Sequence, residues 1–155
     1  MNRLRKTDRN SLGLPIGFPV PNWKQALAPP RAPMLGVWCR LEPIDSQQHG
    51  DSLFEAFSED TENRIWIYLP YGPFENAAAF TRWIEKSRVG SDPLFHAIID
   101  QSNDRALGVA SYLRVNSAAG VIEVGHINYA PMLQKTAAGT EAMYLMMRRV
   151  FEELG

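Results

Sequence analysis

Thiols are nearly absent: Cys39 is the single cysteine among 155 residues. One thiol excludes an intramolecular disulfide framework and a four-thiolate zinc site. Its place in the apolar run Val37-Trp38-Cys39 predicts a buried core thiol rather than a nucleophile. Histidine is also scarce. His49, His96 and His126 fall in three separate elements without i, i+4 spacing, so they make no metal site. A Gly-x-Ser-x-Gly nucleophile signature is missing. No apolar run approaches the roughly eighteen residues of a membrane span. The basic start Met1-Asn2-Arg3-Leu4-Arg5-Lys6 has no apolar segment behind it and does not read as a secretory signal. With one thiol and no leader, the expected compartment is the reducing cytoplasm. Nor is there an excess of one charge. Lys and Arg total 16 against 17 for Asp and Glu, a net charge of −1. That balance argues against binding nucleic acid or a membrane surface through bulk charge.

What is present is ordinary globular material. Hydrophobic residues make up 45%, too many for a disordered chain, and the length suits one domain. Residues 1–34 differ from the rest, because they hold six of the 11 prolines: Pro15, Pro19, Pro21, Pro29, Pro30 and Pro33. Proline at that density prevents both a helix and a ladder strand. Leu14, Ile16, Phe18, Val20 and Trp23 are nevertheless too apolar for a free linker. An extended arm results, with side chains expected to dock on the domain or on a partner. The domain proper covers 35–155.

Within it, 36–44 reads as a strand with Val37, Cys39 and Leu41 on one face. Asp45 or Ser46 is a plausible cap for a helix whose stripe is Leu53, Phe54, Ala56 and Phe57. After a short segment at 63–69, a second helix is expected from Phe74 to about Arg88, with Ala77, Phe80 and Ile84 inward. Strands at 94–101, 106–115 and 121–129 follow, separated by the turns Ser102-Asn103-Asp104 and 116–120. A last helix covers about 137–154. The order predicts an α+β fold with a four-stranded antiparallel sheet rather than a parallel βαβ repeat. The final helix, with Met143, Tyr144, Leu145, Met146, Met147 and Phe151, reads as a central core helix, with Arg148 and Arg149 facing solvent.

The stretch with chemical content is 121–142. A strand ends, a short loop turns, and a helix starts on the small residues Ala137, Ala138, Gly139 and Thr140. Free backbone N–H groups at a helix start, with the positive end of its dipole, can hold an anion, and small side chains let a pyrophosphate approach. The frame Gln134-x-x-Ala137-x-Gly139, after a strand carrying Glu123, resembles the pyrophosphate loop Gln/Arg-x-x-Gly-x-Gly/Ala of the acyl-CoA-dependent N-acetyltransferase (GNAT) superfamily. Ala137 stands where glycine is usual. Further strings extend the resemblance over nearly the whole chain, toward the branch of ribosomal-protein N-terminal acetyltransferases. They are GLPIGFPVPNW, RLEPI at 40–44, WIYLPYGPF at 66–74, DPLFHAIID at 92–100, GVASYLRV at 108–115, and IEVGHINYAP followed by LQKTAAGTEAMYLMMRRVFEELG.

The resemblance implies a GNAT-like fold, an antiparallel sheet with helices on both faces. It implies an enzyme using acetyl-CoA as co-substrate, without a metal, to acetylate a primary amine, either a protein N-terminus or a small molecule. Backbone groups of Ile127, Asn128 and Tyr129 would grip the pantetheine arm. Gln134, Lys135, Thr136, Ala137, Ala138, Gly139 and Thr140 would take the pyrophosphate. Glu123 would be the general base. The resemblance further implies that the chain covers the N-terminal two-thirds of such a domain, with C-terminal strands and the general acid beyond Gly155. A catalytically incomplete module acting by binding or interaction is the alternative, and self-association through the exposed edge of 121–129 is expected. His126 falls opposite Glu123 by strand parity, and a bulge at Gly125 would bring the two together. His126 and His96 otherwise read as structural, and His49 as a surface helix residue.

Overall fold

The structure, a computed structural model, describes residues 8–155. The basic start of the chain lies outside the described residues. Five antiparallel strands form one sheet, ordered as in the sequence. They are β1 (Met34–Leu35), β2 (Cys39–Pro43), β3 (Leu94–Asp100), β4 (Arg105–Asn116) and β5 (Val121–Tyr129). The helices are α1 (Ser46–Ser58), α2 (Ala77–Ser87) and α3 (Ala137–Glu153). Single 3-10 turns lie at Arg64–Trp66 and Pro131–Leu133.

The sheet therefore has one strand more than the four expected. Residues 36–38 do not extend β2; they turn the chain so that Met34 pairs with Leu41 and Leu35 with Arg40. Val37, expected inward, is accordingly exposed, whereas Cys39 and Leu41 are buried. The turn is held by Glu141 of α3, whose carboxylate accepts the backbone N–H groups of Val37, Trp38 and Cys39 at 2.8, 2.7 and 2.8 Å. Burial pulls the Glu141 pKa upward, but those three amides outweigh it and the net shift is downward. Gly36 leaves room for this arrangement, because a Cβ would collide with the Glu141 carboxylate where the three amides hold it.

Asp45 caps α1 by accepting from the amides of Gln47 and Gln48. Leu53, Ala56 and Phe57 then bury one face of the helix. Asn76, extended and accepting from Ala79 N–H, starts α2 three residues later than periodicity suggests. Phe74 is thereby released into an aromatic cluster with Trp66, Phe80 and Trp83. α1 and α2 cover one sheet face, where Trp83 meets Phe95 edge-on and Ser52 bonds Ala106. α3 covers the other, where the Tyr112 hydroxyl donates to Met146 O at 2.7 Å. Helices thus lie on both faces, as anticipated.

Three side-chain assignments change. His49 is buried: its Nδ1 accepts from Asp45 N–H, and its Nε2 lies 3.1 Å from Glu42 Oε2. Arg149 is buried as well, donating to Ala32 O and Pro33 O at 2.7 Å, so it fastens the arm to α3 instead of facing solvent. A long charged side chain in an apolar helix satisfies carbonyls that hydropathy alone ignores. On α3 the buried side is Ala138, Ala142, Leu145, Met146 and Arg149, while Tyr144, Met147 and Phe151 are exposed. It is therefore not buried on most sides. The arm docks only in part. Trp23 lies on the β4–β5 turn, its indole N–H donating to Ala118 O, and the amides of Ala26 and Leu27 bond Ser117 O and Leu154 O. Leu14, Ile16, Phe18 and Val20 remain exposed.

Candidate active site

The site grows out of two irregularities on β5. Val109 pairs with Asn128 and Ser111 with Gly125, so β5 carries one residue more than β4 over this interval. The extra residue produces a bulge, and His126 sits there in the left-handed region at φ +50°. The parity change puts the His126 ring on the α1/α2 face, against Tyr71 (5.5 Å between centroids) and Phe95 (5.1 Å). Glu123, paired with Leu113, belongs to that same face, so a bulge one residue beyond Gly125 brings the two candidate bases onto one side. Gly125 keeps the path between them open, since a Cβ would stand 3.3 Å from Glu123 Oε1 and 2.9 Å from the Leu113 side chain.

A second bulge, on β4, places Arg114 at φ +51°. Asp92 accepts the amides of Arg114 and Val115 and so fixes this bulge. From it Arg114 Nη1 reaches Glu123 Oε2 at 2.8 Å. Burial lowers the His126 pKa, with Arg114 adding to the lowering and Glu123 opposing it. At neutral pH the imidazole is therefore uncharged and able to accept a proton.

β5 is the edge of the sheet among the described residues. Ala130 N–H donates to Leu107 O. By antiparallel alternation the N–H and C=O of Tyr129 therefore point away from β4, while those of Asn128 point toward it. Of the three residues expected to grip pantetheine, Tyr129 has this orientation outright and Asn128 does not. The Tyr129 carbonyl accepts Gln134 Nε2 at 3.0 Å, which leaves its N–H for a ligand.

Beyond β5, Lys135 takes φ +60° and Thr136 caps α3, its hydroxyl accepting from Gly139 N–H at 3.0 Å. Among the described residues the amides of Ala137 and Ala138 meet no protein acceptor, so they are the two free donors of the helix start. Gly139 is buried rather than presented: a Cβ there would lie 2.7 Å from Leu133 O, and its own carbonyl accepts the Tyr129 hydroxyl. Its smallness is thus a packing requirement. An open groove of about 460 Å³ runs between β5 and α3 past Ile127, Tyr129, Thr136, Gly139, Thr140 and Met143. The groove joins the outward Tyr129 amide to the start of α3, a layout suited to an extended ligand ending in an anion.

No family model matches the chain, and no curated protein sequence matches it. Solved structures do. A GNAT-family structure described as a probable acetyltransferase, from Chromobacterium violaceum, is 36% identical, covers 92% of this chain and 70% of its own, and superposes with a TM-score of 0.79. The chain belongs to the GNAT family. A GCN5-related N-acetyltransferase from Brucella melitensis is 37% identical at a TM-score of 0.83. It covers 86% of this chain, which spans 61% of that protein's length. A Vibrio cholerae structure provisionally assigned as a ribosomal-protein-serine acetyltransferase, 11% identical with a TM-score of 0.64, covers 77% of this chain and 67% of its own and shares the fold alone.

Sequence reasoning left three contributors out. Arg114 is hidden by its position in an alternating strand, where only the bulge turns it toward Glu123. Glu141, the one acid in the first three turns of an apolar helix, could have been singled out as an anchor. The aromatic wall of Tyr71, Trp83 and Phe95 joins three elements far apart in the chain, and no local pattern marks it.

Proposed function

We propose that the chain is the core of an acetyl-CoA-dependent N-acetyltransferase acting on a primary amine. The observation carrying this reading is the groove from the outward Tyr129 amide past Lys135 to Thr136 at the start of α3, where the amides of Ala137 and Ala138 are free among the described residues, in a chain of GNAT membership. Acetyl-CoA, when bound, supplies the activated acyl group. Tyr129 N–H would hold its pantetheine arm as an added strand would be held. The start of α3 and Lys135 would balance the pyrophosphate charge.

The amine would approach from the α1/α2 face. Its nitrogen would form the new C–N bond, the C–S pair would go to sulfur so that coenzyme A leaves as the thiolate, and the surplus proton would leave the nitrogen for the Glu123 carboxylate. Arg114 orients that carboxylate. The branch resembling ribosomal-protein N-terminal acetyltransferases suggests a peptide N-terminus among the amines to be tried. Isothermal titration with acetyl-CoA, followed by mass-detected transfer to peptides with free N-termini and to alkylamines, tests the reading. Saturable binding with acetylated product is expected; a protein that neither binds nor transfers overturns it.

A further inference from the structure

Asn128 is buried, and among the described residues neither its side-chain oxygen nor its nitrogen has a hydrogen-bond partner. A carboxamide wants up to four hydrogen bonds, and a desolvated one with none is destabilising unless another molecule completes it. Its position decides which molecule. Asn128 pairs with Val109, and Ser111 with Gly125, so the Asn128 side chain shares the α1/α2 face with Ser111, Glu123 and the His126 ring. The donor groove is on the other side of β5, where the Tyr129 hydroxyl bonds Gly139 on α3. Tyr71, against His126 on the same face as Asn128, has a buried hydroxyl that also lacks a partner among the described residues. The orphaned polar groups of Asn128 and Tyr71 thus lie on the side away from the acyl donor.

We infer that Asn128 is an acceptor-binding residue: its side-chain oxygen accepts an N–H of the incoming amine and sets the nitrogen against β5. This assignment rests on the acetyltransferase reading above and adds to it a group that positions the nucleophile. The contact leaves the nitrogen lone pair free for attack, which a carboxylate in the same place would not distinguish from protonation. It also explains why a polar residue occupies a strand position whose neighbours Val109 and Ala130 are buried and apolar.

The test is Asn128→Leu, similar in volume and without polar atoms, beside the wild-type chain. Freed of an unsatisfied carboxamide, the ligand-free variant is expected to melt roughly 2–4 °C higher. Acetyl-CoA affinity should stay within about twofold, since the donor groove is untouched. For the amine that the wild type turns over fastest, kcat/KM should fall roughly 10–100-fold, the scale of one hydrogen bond in a desolvated site. The loss should appear mainly in KM for the amine. Asn128→Ala serves if leucine does not fit, with the same donor and acceptor expectations. Unchanged kcat/KM for the amine in a folded variant, leucine or alanine, would overturn the inference, as would a matching loss of acetyl-CoA affinity. Failure of the wild type to bind acetyl-CoA is a different result and removes the underlying acetyltransferase reading itself.

Discussion

Glu123 and His126 divide the proton chemistry between them by environment. Glu123 is half-exposed and paired with an exposed arginine, a contact that solvent screens. His126 is wedged among aromatic rings and held neutral. If Glu123 is the base, Glu123→Gln should lower kcat by roughly 10²–10⁴-fold while acetyl-CoA affinity is retained. Wild-type turnover of that variant across pH would pass the role to His126 or to water. His96 differs from both. It is fully buried under α3, without a well-formed hydrogen bond to either ring nitrogen among the described residues. Burial, helped by Arg149 and Arg31, pushes its pKa down to about 4. In the unfolded chain the ring titrates near its ordinary value of roughly 6.5. Between these pH values the unfolded state binds more protons, so His96 favours folding above that window and loses its contribution as pH falls through it. The loss should reach up to about 3 kcal/mol by pH 4. Denaturant melts at pH 7 and pH 4.5 should show it, and His96→Leu should flatten the difference; an equal drop in that variant assigns the acid sensitivity elsewhere.

The strand-to-helix element shows how far local pattern carries. Strand limits, hairpin turns and the start of α3 were legible because alternation, turn residues and capping are local. The detail of the anion site was not. Gly139 draws attention as the glycine of the loop frame, yet packing against Leu133 O accounts for it, and a bulky side chain there would disturb the loop before it reached any ligand. Ala137 is the sharper probe. Thr136 is already extended and Ala137 is the first helical residue, so proline fits at 137 and removes one of the two free amides. Ala137→Pro should weaken acetyl-CoA binding roughly 10-fold, the effect of one hydrogen bond to a charged group. The melting temperature should hardly move. Unchanged affinity in calorimetry would detach the start of α3 from the donor. The bulges at His126 and Arg114 were illegible for another reason: they are set by register against β4, a non-local property. Gly125 was close to the mark because glycine tolerates the crowding beside Leu113 and Glu123, whereas the extra residue itself is a histidine.

At the scale of the molecule, the groove that suits a donor also leaves apolar surface open. Tyr144, Met147 and Phe151 are exposed along α3, next to Ile127 and to the outward backbone of β5. Arg148 covers only the Tyr144 ring. An unpaired strand edge beside an apolar stripe favours association with another copy, because strand pairing satisfies the edge while the stripe is buried. The opposite end of the sheet is better protected: β1 is two residues long, and the Arg149 guanidinium holds the arm just before it. Among the described residues the arm's hydrogen bonds on the β5 side go to the β4–β5 turn and to Leu154, short of the outward backbone of β5. The 155-residue polypeptide, expressed as it stands, should therefore self-associate at micromolar concentration through this side. Multi-angle light scattering over a dilution series reads the mass. Phe151→Glu places a charge in the stripe without touching the buried side of α3, and it should shift the population toward monomer at unchanged melting temperature. A wild-type chain that stays monomeric throughout the series would show that the open edge and stripe are too small or too well hydrated to drive pairing.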